Sequence, residues 1–230
     1  LGSITKNKKY HKEYSQQKGR ESVAIDAVYN AALNFDRAEK LKRANDIREF
    51  LVKTFGQGEG RNNPLVADTL YNIAQSYDRV VDFRKAAQKY EIFANAYPKD
   101  RRTRDALYNA GVYRSTLKDY KEAEALRRRY LQLYPGANDS LLVTFAMCES
   151  FEQQANEMGT RQKRASLAQW KKTTTCYESW ANNRRFVAKD PDRHCLAASR
   201  RGEIYRTNLD NENGYKGQKR IVLSLWNKLR

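Results

Sequence analysis

Three copies of one five-residue pattern carry most of the chemistry this sequence offers. They are Asp26-Ala27-Val28-Tyr29-Asn30, Asp68-Thr69-Leu70-Tyr71-Asn72 and Asp105-Ala106-Leu107-Tyr108-Asn109. Asp to Tyr is i,i+3 and Asp to Asn is i,i+4, so on a helix the three side chains share one face. An Asn amide can bond a peptide N–H and C=O together, and a Tyr ring adds a flat apolar surface with one polar tip. That chemistry suits holding a polypeptide. A structural role competes with it: Asp in a first turn complements the helix dipole, and Asn and Tyr can bond between neighbouring helices.

Little else points to a reaction. The sequence has no glycine-rich phosphate loop, no Ser-His-Asp order and no HExxH, the patterns that phosphate binding, acyl transfer and zinc hydrolysis use. Its histidines are His11 and His194, and its cysteines are Cys148, Cys176 and Cys195, without CxxC spacing. A structural zinc site needs about four ligands at regular spacing, so no metal or cofactor is expected. The cysteines read as buried thiols, with a Cys176–Cys195 or Cys148–Cys176 disulfide as the alternative. Asp210-Asn211-Glu212-Asn213-Gly214 has the composition of a calcium loop, but its Asp is one residue too close to the Gly, and it reads as a turn.

The formal net charge is +17, which admits nucleic acid, an anionic surface or an acidic protein as partner. The cations are scattered as Lys8-Lys9, Arg101-Arg102, Arg127-Arg128-Arg129, Lys171-Lys172, Arg184-Arg185 and Arg200-Arg201. Most fall where second helices or loops are expected, which reads as a solvated outer face. No nucleic-acid-reading motif accompanies them, and repeat packing accounts for the tyrosines. Nucleic acid is therefore the disfavoured partner.

The elements that position the pentads follow from self-similarity. Leu70-Tyr71-Asn72 recurs as Leu107-Tyr108-Asn109, and Asp82, Phe83, Ala86, Phe93 and Tyr97-Pro98 recur as Asp119, Tyr120, Ala123, Tyr130 and Tyr134-Pro135, without a gap. An earlier copy pairs Phe35-Asp36-Arg37, Leu41, Ala44, Leu51 and Phe55 with Tyr77-Asp78-Arg79, Phe83, Ala86, Phe93 and Tyr97. Its extra residues fall in the Gly- and Asn-rich loop from Gly56 to Pro64, where length is tolerated cheaply. Each copy reads as two helices with apolar residues at helical spacing. Small residues recur where those helices would cross, at Ala32, Ala74 and Gly111 on the first and Ala44, Ala86 and Ala123 on the second.

This pattern resembles the tetratricopeptide repeat. Leu70, Ala74, Tyr77, Phe83, Ala86, Tyr90 and Pro98 occupy consensus positions, residues 65–136 match well, and 22–58 match with Gly56 in place of the closing Pro. The resemblance implies an all-α fold: a right-handed α-solenoid of stacked antiparallel helix pairs with a divergent C-terminal helical part. The expected organisation is a basic N-terminal segment over 1–21 (or the end of a preceding repeat), three repeats at 22–58, 65–99 and 102–136, and divergent repeats with a cap over 139–230. Helices are expected at 139–151, 165–180, 195–205 and 221–229, with Leu167, Trp170, Cys176 and Tyr177 inward. Polar stretches are expected at 152–164 and 208–217.

The resemblance further implies a protein–protein interaction scaffold rather than an enzyme, with first helices lining a concave groove. Tyr29, Asn30, Asp68, Tyr71, Asn72, Arg79, Asp105, Tyr108 and Asn109 are the groove residues expected to hold a peptide or helix of a partner protein, as in assembly of a larger complex. Some family members grip a terminal carboxylate with Lys and Asn; here the Asn is present in triplicate, but Tyr29, Tyr71 and Tyr108 precede it and the Lys is missing. The alternative is nucleic-acid or anionic-surface binding through the basic outer face. The Asp-x-Leu-Tyr-Asn start and Tyr-Pro end are similar to repeats of bacterial cell-envelope assembly proteins, which favours the periplasm over the cytoplasm. No apolar run reaches the ~20 residues of a membrane span. The chain opens with Leu1-Gly2-Ser3, as expected of a processed chain or a piece of a longer protein.

Overall fold

The computed structural model describes residues 20–159, 163–182 and 188–229, and every regular element among them is helical. Residues 1–19, with Lys8-Lys9 and His11, and the pair Arg184-Arg185 lie outside the described residues. The chain divides into two compact units between Tyr113 and Arg114.

In the first unit, α1 (Glu21–Arg37) packs on α2 (Leu41–Phe55), and α3 (Pro64–Arg79) packs on α4 (Phe83–Ala96). Helix α5 (Thr103–Thr116) follows and crosses the division. The start of α3 is set by Asn63, whose side chain accepts from the Leu65 N–H at 2.9 Å, and by Pro64 in the first turn. A proline there forfeits no helical hydrogen bond. Helix α4 starts at Asp82, which accepts from the Lys85 N–H. It ends before Tyr97-Pro98, since Pro cannot continue the ladder. Ile25, Val28, Ile47, Leu51, Phe55 and Val66 form one apolar cluster. Ala32, Ala44, Ala74 and Ala86 are at most 1% exposed. The absence of side-chain bulk there allows paired backbones to approach, and larger neighbours fill the surroundings.

The second unit contains α6 (Tyr120–Leu133), α7 (Ser140–Met158), α8 (Lys163–Asn182), α9 (Pro191–Thr207) and α10 (Glu212–Leu229). Its core gathers Phe145, Phe151, Trp170, Tyr177, Trp180 and Ile204. The Trp180 indole donates to the Leu141 carbonyl at 3.0 Å. Gly202 lets α9 and α10 meet, because a Cβ there would lie 3.0 Å from that of Gln218.

Several expectations fail in this unit. Helix α7 continues through most of the stretch expected to be polar loop, and α9 begins at Pro191, where Asp190 caps it. Helix α10 begins at Glu212, so the expected loop at 208–217 is mostly helix. Residues 208–211 form the turn, with Asp210 at φ 48° and Asn211 accepting from the Gly214 N–H. Leu167 is 41% exposed rather than inward; Ser166, Gln169, Thr173 and Thr174 are buried instead. Hydroxyl self-bonding explains part of this, since Thr173 donates back to the Gln169 carbonyl and Thr174 to that of Lys171. The expectation of free thiols also fails: Cys148 and Cys176 form a disulfide, with a Cα–Cα distance of 5.4 Å, and Cys195 remains free.

Candidate functional site

The pentads lie on α1, α3 and α5, and their members divide between inward packing and exposure. Tyr71 is half-buried, with its ring edge-on to Tyr90 at 5.5 Å and Phe93 at 5.1 Å. Burial pushes its hydroxyl pKa up, and the nearby Asp105 adds to this. Asp68 accepts from Arg102 at 2.6 Å. Arg102 also bonds both oxygens of Asp100 and lies over the rings of Tyr71 and Phe93 at 5.3 and 5.2 Å. The Arg102 hydrogen bonds hold the Asp100 carboxyl below its usual range despite partial burial. The Asn109 amide makes a polar contact with the Tyr90 hydroxyl. Through these contacts Asp68, Tyr71 and Asn109 tie α3 and α4 to α5 and to the residues just before it.

Others face outward. Asp105 is exposed, and Tyr108 and Val112 are 38% and 37% exposed, at spacings that place them along one side of α5. Asn30 is exposed on α1, where Tyr29 packs partly against the apolar cluster. Asn72 is half-buried, its carbonyl accepting from the Ser76 hydroxyl, and Arg79 is exposed in the last turn of α3. One helix face therefore serves two purposes: an inner edge that joins repeats and an outer edge available to solvent.

A second set of polar groups joins successive helix pairs, and sequence reasoning did not single it out. Arg48, Tyr90 and Arg127 occupy equivalent positions of the second helices; Ser76, Tyr113 and Ser150 do so on the following first helices. In the first unit Arg48, 5% exposed, donates to Asp36 and to Ser76 Oγ at 3.2 Å. The next layer in that unit has Tyr113 donating to Asp78 at 2.5 Å and stacking on Phe83 at 4.9 Å. In the second unit Arg127, 6% exposed, bonds Ser150, which also bonds Ser115 at 2.8 Å. The same alignment that revealed the repeats carries this signal, as Arg, Tyr and Arg at one otherwise apolar position.

These contacts withdraw part of the cations from the solvated outer face, while Arg101, Arg128 and Lys171 are exposed. Arg127 is buried, Arg128 and Lys172 share Glu124, and Lys172 lies 4.0 Å from the Phe151 ring centroid. Arg200 pairs with Glu152, which also accepts from the Tyr177 hydroxyl at 2.7 Å, and Arg201 pairs with Glu178. Among the described residues no cluster of His, Cys, Asp and Glu could hold a metal ion, and no helix is long and apolar enough to cross a membrane.

Residues 65–197, more than half of the chain, match the family YfiO, described as outer membrane lipoprotein. The chain belongs to the YfiO family of outer membrane lipoproteins. No curated protein matches it. Solved structures share the fold at low identity. The nearly identical TPR-like repeats of a kinesin light chain from Podosopora anserina align with TM-score 0.51 at 10% identity, covering 92% of this chain and 99% of that one. BtubC (BKLC) from P. vanneervenii gives 0.51 at 11% identity, covering 99% and 90%. MamA 41-end from Desulfovibrio magneticus RS-1 gives 0.50 at 13%, covering 92% and 98%. The fold of this YfiO-family chain is thus the TPR-like α-solenoid, all-helical among the described residues. Folds of this kind are typically protein–protein interaction scaffolds and generally non-catalytic.

Proposed function

We propose that this chain is an assembly scaffold of the bacterial cell envelope that holds a peptide or helix of a partner protein on the outward edge of its first helices. The observation that carries this reading is on α5. There Asp105, Tyr108 and Val112 are exposed along one side, while their neighbours Asn109 and Tyr113 are committed to Tyr90 and Asp78. An exposed Tyr beside an exposed apolar residue and a carboxylate supplies an aromatic anchor and polar rim at small cost to the fold. Exposed Asn30 and Arg79 and half-buried Asn72 are the further candidates on α1 and α3, whereas Asp68, Tyr71 and Asn109 contribute by fixing the helices that present the edge.

Two observations support the envelope setting. The family description is that of an outer membrane lipoprotein, and the Cys148–Cys176 disulfide suits an oxidising compartment such as the periplasm. The basic surface offers less to the nucleic-acid alternative, because Arg128 and Lys172 on second helices, and Arg200 and Arg201 on α9, are paired within the chain. A photo-crosslinking residue at Tyr108, compared with one at exposed Lys171 on α8, tests the reading in envelope extracts. A discrete protein adduct specific to position 108 is expected. Adducts of equal yield from both positions, or none at 108, would remove the groove.

A further inference from the structure

The turn joining each first helix to its second is built the same way three times. Glu39, Val81 and Lys118 occupy equivalent positions, with φ of 56°, 61° and 65°. Each is fixed by backbone bonds: Glu39 N to Asp36 O, Val81 N to Asp78 O and Lys118 N to Ser115 O, all 2.9 Å. The left-handed region is unfavourable for any side chain branched at Cβ, so Val81 is the costly choice among the three. It is also 66% exposed, and Val80 beside it is 56% exposed. A turn that neither needs valine nor hides it has two exposed apolar side chains at its tip.

Cations flank that tip. The α1–α2 and α3–α4 turns share one edge of the first unit, since Arg48 bridges Asp36 near the end of α1 and Ser76 near the end of α3. Along it Lys40, Lys42 and Arg43 are exposed, and Leu41 is 40% exposed. Of its carboxylates, Asp36 is committed to Arg48, Asp78 to Tyr113, and Asp82 to Lys85 and the α4 cap, while Glu39 is exposed at the tip of the α1–α2 turn. Apolar side chains at a protruding tip, with Lys and Arg set beside them, match a lipid surface, where the tip enters the acyl boundary and the cations meet phosphates. A groove would suit a peptide side chain better; these valines project from a turn. We propose that this turn edge, a surface distinct from the outward edge of the first helices, docks the first unit onto an anionic membrane surface, with Val80 and Val81 as the inserted residues.

The test is co-sedimentation with phosphatidylglycerol-containing vesicles, against phosphatidylcholine alone, at about 0.15 M salt, where long-range attraction from net charge is screened. Val80→Ser with Val81→Asn removes the apolar tip without altering charge, and Asn accepts the left-handed conformation. This variant is expected to keep the wild-type melting temperature and bind anionic vesicles roughly tenfold more weakly. Val81→Gly, which suits the turn still better, gives a second folded variant and a smaller loss. Val23→Ser, at an equally exposed valine on α1, should bind as wild type. Wild-type binding that is absent, equal on phosphatidylcholine, or unchanged by the Val80 and Val81 substitutions would overturn the proposal. So would an acidic polypeptide held as tightly as the vesicles with the same valine dependence, which would assign the edge to a protein.

Discussion

The two units solve the same packing problem differently. In the first, paired helices cross at Ala32, Ala44, Ala74 and Ala86, where the absence of bulk is what brings the backbones together. In the second, the position equivalent to Ala32, Ala74 and Gly111 is Cys148, bonded across α7 and α8 to Cys176. The segment between those cysteines is longer than the regular repeat would make it, and α7 extends to Met158. A pair with a long connection and irregular polar burial gains less from simple small-residue packing. A covalent bond at the crossing substitutes for it. Regularity in one unit and cross-linking in the other are two routes to one helix-pair geometry.

The largest effect should come from removing that bond. Cys148→Ala with Cys176→Ala, or reduction of the wild type, should cost about 3–4 kcal/mol for a loop of this length. All three tryptophans lie in the second unit, so intrinsic Trp emission reports on it directly. An earlier Trp-detected melting transition is expected. A transition that does not move on reduction would mean packing alone holds α7 on α8.

The first unit is probed by overfilling rather than by cutting. Ala86→Leu inserts bulk at a site with no exposed surface and should cost on the order of 1–3 kcal/mol in far-UV circular-dichroism melts. An unmoved melting temperature would show that the crossing of α3 and α4 is not fixed at Ala86, and the contrast with the cross-linked pair would fail.

The repeat fold was legible because its signals are local: apolar spacing, small residues at fixed offsets, Asp before the second helix, and Pro after it. The second unit was less legible because its cues conflict. Glu152 to Arg164 looks polar, yet Glu152 sits beneath Tyr177 and Arg200 as a bonded partner. Leu167 looks like core, yet Thr173 and Gln169 take the buried side. The choice among three cysteines depends on which helices pair, which spacing alone does not reveal. In the candidate site the sequence placed Asp, Tyr and Asn on one face of each first helix. It did not separate the edge that bonds Tyr90 and Arg102 from the edge left to solvent, because that depends on the neighbouring repeat.

That separation is the central claim, and adjacent residues on α5 test it. Asn109→Ala should lose the polar contact with Tyr90 and cost about 1–2 kcal/mol of stability. Tyr108→Ala, at a position 38% exposed, should cost less stability than Asn109→Ala. The decisive measurement is recovery, by the Tyr108→Ala chain, of the protein that crosslinks at position 108, alongside its melting temperature. Loss of that partner with the melting temperature lowered less than by Asn109→Ala is the predicted result. Retention of the partner, or a melting temperature that falls as far as with Asn109→Ala, would contradict the account and make both edges of the helix structural.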